Sequence, residues 1–99
     1  MTETQSALSH YEKRNLLICN LKGLHARAAA KFVRTVGGYS SRVWVTKDGN
    51  RVAGDAIMDL LMLAAAKDST IALEADGPDS TEVLDALQAL IADKFGEKE

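Results

Sequence analysis

The chain has 99 residues, room for one domain and no second lobe. Its 46% apolar and 26% charged residues are ordinary for a folded globular chain and exclude disordered or collagen-like structure. Twelve Lys plus Arg against fourteen Asp plus Glu leave a net charge of −2, which excludes a global positive field for nucleic acid.

Residues 1–13 are expected to form a flexible tail, with His10 in it, ahead of a single domain over residues 14–99. The start lacks the basic and apolar regions of a secretory signal, and the apolar stretch Ile57–Ala66 is too short to span a bilayer. Arg14–Asn20 reads as a first strand with Cys19 as a buried small side chain, and one cysteine excludes an internal disulfide. A cytoplasmic protein without membrane insertion follows as the expectation.

From Ala26 to Val36, Ala29, Phe32, Val33 and Val36 recur at helical spacing, with Arg27, Lys31 and Arg34 on another face. Gly37-Gly38 is expected to end this helix through left-handed backbone. Ser40–Thr46 alternates as a strand, placing Trp44 opposite Val43 and Val45, and Asp48-Gly49 predicts a tight hairpin to a strand at Arg51–Ala53. Ala56 to about Ala66 is rich in helix formers, and Ser69–Ala75 reads as a fourth strand. Asp79 with Glu82 predicts a capping box for a last helix, built on Val83, Leu84, Leu87, Leu90 and Ile91 and ended by Gly96. The order βαββαβα predicts an α+β fold, with helices on one face of a mainly antiparallel sheet.

Gly23-Leu24-His25-Ala26-Arg27 carries the most chemistry, because it puts a histidine where a glycine loop enters a helix. The free amides and positive dipole end of a helix start favour an anion such as a phosphoryl group, and a neutral imidazole offers a nucleophilic nitrogen. Arg27 adds forked donors for phosphate oxygens. A capping His25 beside a solvated Arg27 is the plainer alternative. A Ser-His-Asp hydrolase drawing on Asp55 lacks a nucleophile-elbow glycine pattern, and a metal site on His25 lacks spaced ligands. No metal or cofactor is expected.

The same segment, continued by Ala29-Ala30-Lys31-Phe32-Val33, resembles the active-site segment of HPr phosphocarrier proteins, and Ala56-Ile57-Met58 with Leu60-Leu61-Met62-Leu63 resembles that family's second helix. The resemblance runs from about Arg14 to Phe95. It implies an open-faced β-sandwich, with a four-stranded antiparallel sheet in order 1-4-2-3 and three helices on one face. It also implies that His25 is phosphorylated on Nδ1 by enzyme I with phosphoenolpyruvate-derived phosphoryl, that Arg27 steadies the group, and that an enzyme II or IIA component receives it. Such a protein is a carrier in sugar uptake or nitrogen-related regulation, without a catalytic pocket of its own.

Two positions depart from the family pattern. Ala28 stands where proline usually follows the arginine, and Ala56 stands where many members carry a regulatory serine, so the family's kinase has no hydroxyl there. Ser69 and Thr70 lie elsewhere. Helix two is apolar around most of its circumference, which suits a docking surface of Ile57, Met58 and Leu61 flanked by the basic Lys31 and Arg34. A non-catalytic interaction module that binds a regulatory partner through this helix is the alternative reading.

Overall fold

A computed structural model describes residues 10–99. Strand β1 (Tyr11–Leu17) leads through a loop to helix α1 (Ala26–Gly37), followed by β2 (Arg42–Lys47), β3 (Asn50–Ala53), α2 (Ile57–Met62), β4 (Thr70–Asp76), α3 (Ser80–Ala92) and a 3-10 turn (Lys94–Gly96). The strands form one antiparallel sheet in order β1-β4-β2-β3, as the resemblance implies. Val43, Val45, Ile71, Leu73 and Ala75 point from the sheet into a core shared with Phe32, Leu60, Val83, Leu84 and Leu87. Tyr11 and Leu17 on the other side are about half exposed, which leaves that face open.

β1 starts and ends three residues earlier than the apolar run suggests, so residues 11–13 belong to the sheet and not to a tail. The reason is polar pairing on its helix-facing side. Arg14 reaches Asp85 at 2.8 Å and Gln88 at 2.9 Å on α3, and Glu12 accepts from Thr81 at 2.7 Å. Charged residues thus occupy inward positions that hydropathy assigns to apolar ones. His10 lies at the strand entrance, its carbonyl accepting from the Gly77 amide at 3.2 Å. Cys19 follows the strand; it is partly buried, and its thiol donates to the Ile91 carbonyl at 3.1 Å.

The Asp48-Gly49 hairpin has positive φ at both positions, 51° and 82°, matching the right-handed strand twist. Gly38, by contrast, ends α1 at φ −84°, and the Gly38 and Tyr39 amides close short turns onto Thr35 and Val36 carbonyls. No left-handed cap forms there because these tighter bonds already satisfy the last carbonyls. Trp44 lies on the open face between the Arg42 and Arg51 guanidinium groups, 5.5 and 4.4 Å from its ring centre.

α2 is shorter than the expected Ala56–Ala66. Ala64 turns left-handed at φ 52°, and the chain folds back so that Ala65 offers its carbonyl to the Leu24 amide at 2.9 Å. The expected capping box at α3 is absent; the Asp79 carboxylate instead accepts from Ser40 N–H and Ser41 N–H, each at 2.8 Å, and from the Ser41 hydroxyl at 2.5 Å. Those donors hold it below the ordinary carboxylate range.

The last helix ends at Ala92 and not at Gly96. Lys94, Phe95 and Gly96 all take positive φ, and this reversal drives the fully buried Phe95 ring into the core. Truncating such a ring costs about 3 to 5 kcal/mol, enough to hold the strained backbone in place.

Candidate functional site

Gly23 builds the site's floor. At φ +65° its amide donates to the Asn20 carbonyl at 3.2 Å, and its own carbonyl accepts from the His25 amide at 2.9 Å. His25 then enters α1 as the N-cap residue, and its carbonyl accepts the first helical bond from Ala29 at 2.8 Å. Its side chain does not cap the helix, so the imidazole is left available for chemistry. The ring is about a quarter exposed, with a side-chain accessibility of 26%.

Nε2 of His25 contacts the carboxylate of Glu97. The other carboxylate oxygen accepts from Asn20 Nδ2 at 2.9 Å, and the same Asn20 amide nitrogen reaches the Gly23 carbonyl at 2.8 Å. The His25 contact, the Asn20 amide and the nearby Lys22 charge keep Glu97 below the ordinary carboxylate range, so it is ionised near neutrality. With Nε2 engaged, Nδ1 is the ring nitrogen left for a reaction partner.

Two grooves flank the imidazole. One of about 230 Å³ is bordered by Leu21, Lys22, His25, Arg27, Glu97 and the residues after it. The other, about 280 Å³, lies between His25 and the end of α2, with Leu24, Leu61 and Ala64–Ala66 on its walls. His25 and Arg27 border the first groove, and His25 and Leu61 border the second. Met58 and Met62 are 67% and 78% exposed, and Ile57 is more than a third exposed; they form an apolar surface on α2 without lining either groove.

Lys31 does something different from the expected docking. Its ammonium donates to the Phe95 carbonyl at 2.6 Å and clasps the C-terminal reversal onto α1. Arg34 is exposed in the last turn of the same helix, away from both grooves. Sequence reasoning missed Glu97 and Asn20. Nothing in local pattern links residues 72 positions apart, such as His25 and Glu97, although an Asn three residues before a glycine is a recognisable turn former. Among the described residues, no group of three or more His, Cys, Asp or Glu side chains is arranged to hold a metal.

The family described as "PTS HPr component phosphorylation site" matches residues 12–93. The chain belongs to the HPr family. The HPr phosphocarrier of Neisseria meningitidis serogroup A is 52% identical over 87 residues, covering 88% of this chain and 98% of that one. The HPr phosphocarrier of Cupriavidus necator is 48% identical with the same coverages. Among solved structures, an HPr from Thermoanaerobacter tengcongensis superposes with a TM-score of 0.85 at 40% identity, covering 89% of this chain and 99% of its own. The chain is therefore a phosphocarrier of the phosphotransferase system and not a catalytic enzyme, and its four-stranded sheet with three helices is that of its structural neighbours.

Proposed function

We propose that His25 accepts a phosphoryl group on Nδ1 from enzyme I, which draws it from phosphoenolpyruvate, and passes it to an enzyme II or IIA component. The observation that carries this reading is the His25 ring at the start of α1, with Nε2 occupied by Glu97 and Nδ1 left over. The first-turn amides and the exposed Arg27 guanidinium supply fixed positive charge for a dianionic group. Holding it moderately serves a relay, because a carrier that bound it too tightly would not release it.

The exposed methionines and Ile57 of α2, with Leu61 in the adjoining groove, provide the docking surface. Flexible thioethers adapt to successive partners of different shape, and the exposed Arg34 raises encounter rates with acidic surfaces. Lys31, committed to Phe95, contributes its charge to that field while its ammonium stays clasped. Among the described residues no helix is long and apolar enough to cross a membrane, and the proposed setting is the cytoplasm, where the carrier serves sugar uptake or nitrogen-related regulation.

Incubation with enzyme I, magnesium and phosphoenolpyruvate tests this assignment. One acid-labile phosphoryl group mapped to His25, and absent from His25→Ala, is the expected result. An unmodified chain, beside a control carrier that is modified, overturns it.

A further inference from the structure

At the end of α1 opposite His25 lies a cavity that the phosphoryl relay does not use. β3 parts from β2 at Gly54, whose amide donates to the Val43 carbonyl at 2.7 Å. A β-carbon on Gly54 would lie 2.8 Å from Val43 Cγ1, so the chain passes this close to β2 only as glycine. Beyond it the backbone turns away towards α2. This leaves a cavity of about 240 Å³ among the end of α1, the start of β2 and the end of β3. That volume is below the roughly 300 to 1,000 Å³ of drug-sized ligand sites, so an occupant must be small.

Much of the lining is apolar. Val36 and Val43 are buried, Ala53 is half-buried, and the half-buried Tyr39 and Trp44 add two aromatic rings. Trp44 is braced from the open face of the sheet. The Arg51 guanidinium lies 4.4 Å from its ring centre and is itself held by Glu74 at 2.9 Å, and the Tyr11 hydroxyl donates to the same carboxylate at 2.5 Å. A ring fixed in this way has little freedom left to lose when a ligand packs on it.

Two exposed side chains of opposite charge complete the lining, Arg42 and Asp55. The Arg42 guanidinium lies 5.5 Å from the Trp44 ring centre. Among the described residues neither Arg42 nor Asp55 forms an ion pair, with the other or with any third group. The negative end of the α1 dipole falls at Gly37, also on the cavity wall, and with Asp55 it favours a cation. A simple carboxylate would satisfy Arg42 and be repelled by Asp55, and a simple amine would meet the reverse. A small molecule carrying both charges, with an apolar body, suits every part of the lining.

We propose that this cavity binds a free α-amino acid with an apolar side chain. The carboxylate meets Arg42, the ammonium meets Asp55 and the Gly37 end of α1, and the side chain packs on Val36, Val43 and the two rings. α1 is twelve residues long, about 18 Å from end to end, so an occupant leaves the His25 face open. Binding therefore does not depend on the carrier reading.

Trp44 is the chain's single tryptophan, which makes its fluorescence a direct probe of the cavity. Titration of the full chain with L-leucine is expected to give a saturable change with a dissociation constant of roughly 1 mM or tighter. Amide NMR shifts at Gly37, Trp44 and Asp55 should follow the same curve and report occupation whatever the indole's own response. 4-Methylpentanoate, which lacks the ammonium, and isopentylamine, which lacks the carboxylate, should each bind about tenfold more weakly or worse. Arg42→Gln and Asp55→Asn change exposed side chains and should keep the fold, as the rest of the amide spectrum will show. Each should weaken L-leucine about tenfold, while Asp55→Asn should not weaken 4-methylpentanoate further. Absence of saturable shifts with L-leucine up to about ten times the expected constant overturns the proposal. So does equal binding of the two analogues, or unchanged binding in both variants.

Discussion

Gly23 and Ala65 meet backbone to backbone: a β-carbon on Gly23 would lie 2.4 Å from the Ala65 carbonyl oxygen and 2.9 Å from the Ala66 α-carbon. The contact joins the loop that presents His25 to the turn after α2. The α2 side of the groove is thereby held at a set distance from the His25 ring.

Gly23→Ala must therefore fail twice, by steric overlap with an immobile backbone and by occupying φ +65° with a side chain. A loss of about 3 kcal/mol in folding stability is expected from urea denaturation, with phosphoryl transfer impaired even under folding conditions. A variant within about 0.5 kcal/mol of wild type would contradict the packing described.

Arg27 is exposed beside the ring, so its contribution is to charge and not to folding. Arg27→Ala should leave the urea midpoint nearly unchanged and slow transfer by about tenfold or more, as expected when a donor to developing phosphoryl charge is removed. Equal loss of stability and transfer would assign the side chain a structural role.

Lys31 clasps the Phe95 carbonyl. Lys31→Met keeps the aliphatic stem and removes the donor, and should cost about 1 kcal/mol, since the group is partly exposed. Hydrogen exchange of the Gly96 and Glu97 amides, which close the reversal, should accelerate more than exchange in the sheet. Uniform acceleration across both regions would argue against a local clasp.

Acid should weaken the fold for a stated reason. Glu12 is lowered first by the Thr81 hydroxyl and then by Arg14, Glu74 by the Tyr11 hydroxyl and then Arg51, and Glu97 by His25 and then Asn20. A carboxyl lowered by folding contributes stability that is fully present above its unfolded value, 4.5 for these glutamates, and is lost as pH falls through the folded value. Urea midpoints should be level from pH 7 to about 5 and decline below 4.5, and Glu74→Gln should make that decline shallower. An unchanged slope in Glu74→Gln would remove the Tyr11–Glu74–Arg51 cluster from the account.

Ala56 is the N-cap of α2 and offers no side-chain acceptor to the helix start. Ala56→Ser should raise stability by about 0.5 to 1 kcal/mol through a hydroxyl cap on a first-turn amide, read as a higher urea midpoint. A lower midpoint would mean that the α2 entrance cannot accommodate the hydroxyl.

The element order, the hairpin and the placement of His25 and Arg27 at the start of α1 are legible in the sequence because each follows from short-range periodicity and turn chemistry. The misplaced ends share a different origin. β1 hides behind Glu12 and Arg14, whose inward charges pair with each other and with α3, and α2 stops early because Ala65 is recruited by Leu24 across the fold. Asp79 reads as a helix cap but serves Ser40 and Ser41, 39 and 38 residues away. Glu97 belongs to the same class: its partner is fixed by a backbone reversal at Lys94, Phe95 and Gly96 that no local propensity announces for a lysine and a bulky phenylalanine.

Phosphorus-to-ring correlation by NMR, on protein labelled with nitrogen-15 and charged by enzyme I and phosphoenolpyruvate, locates the phosphoryl group on the ring. A single phosphoramidate bonded to Nδ1 of His25, with the proton on Nε2, is the predicted result. A phosphoryl group on Nε2, on another residue, or on none would contradict the account.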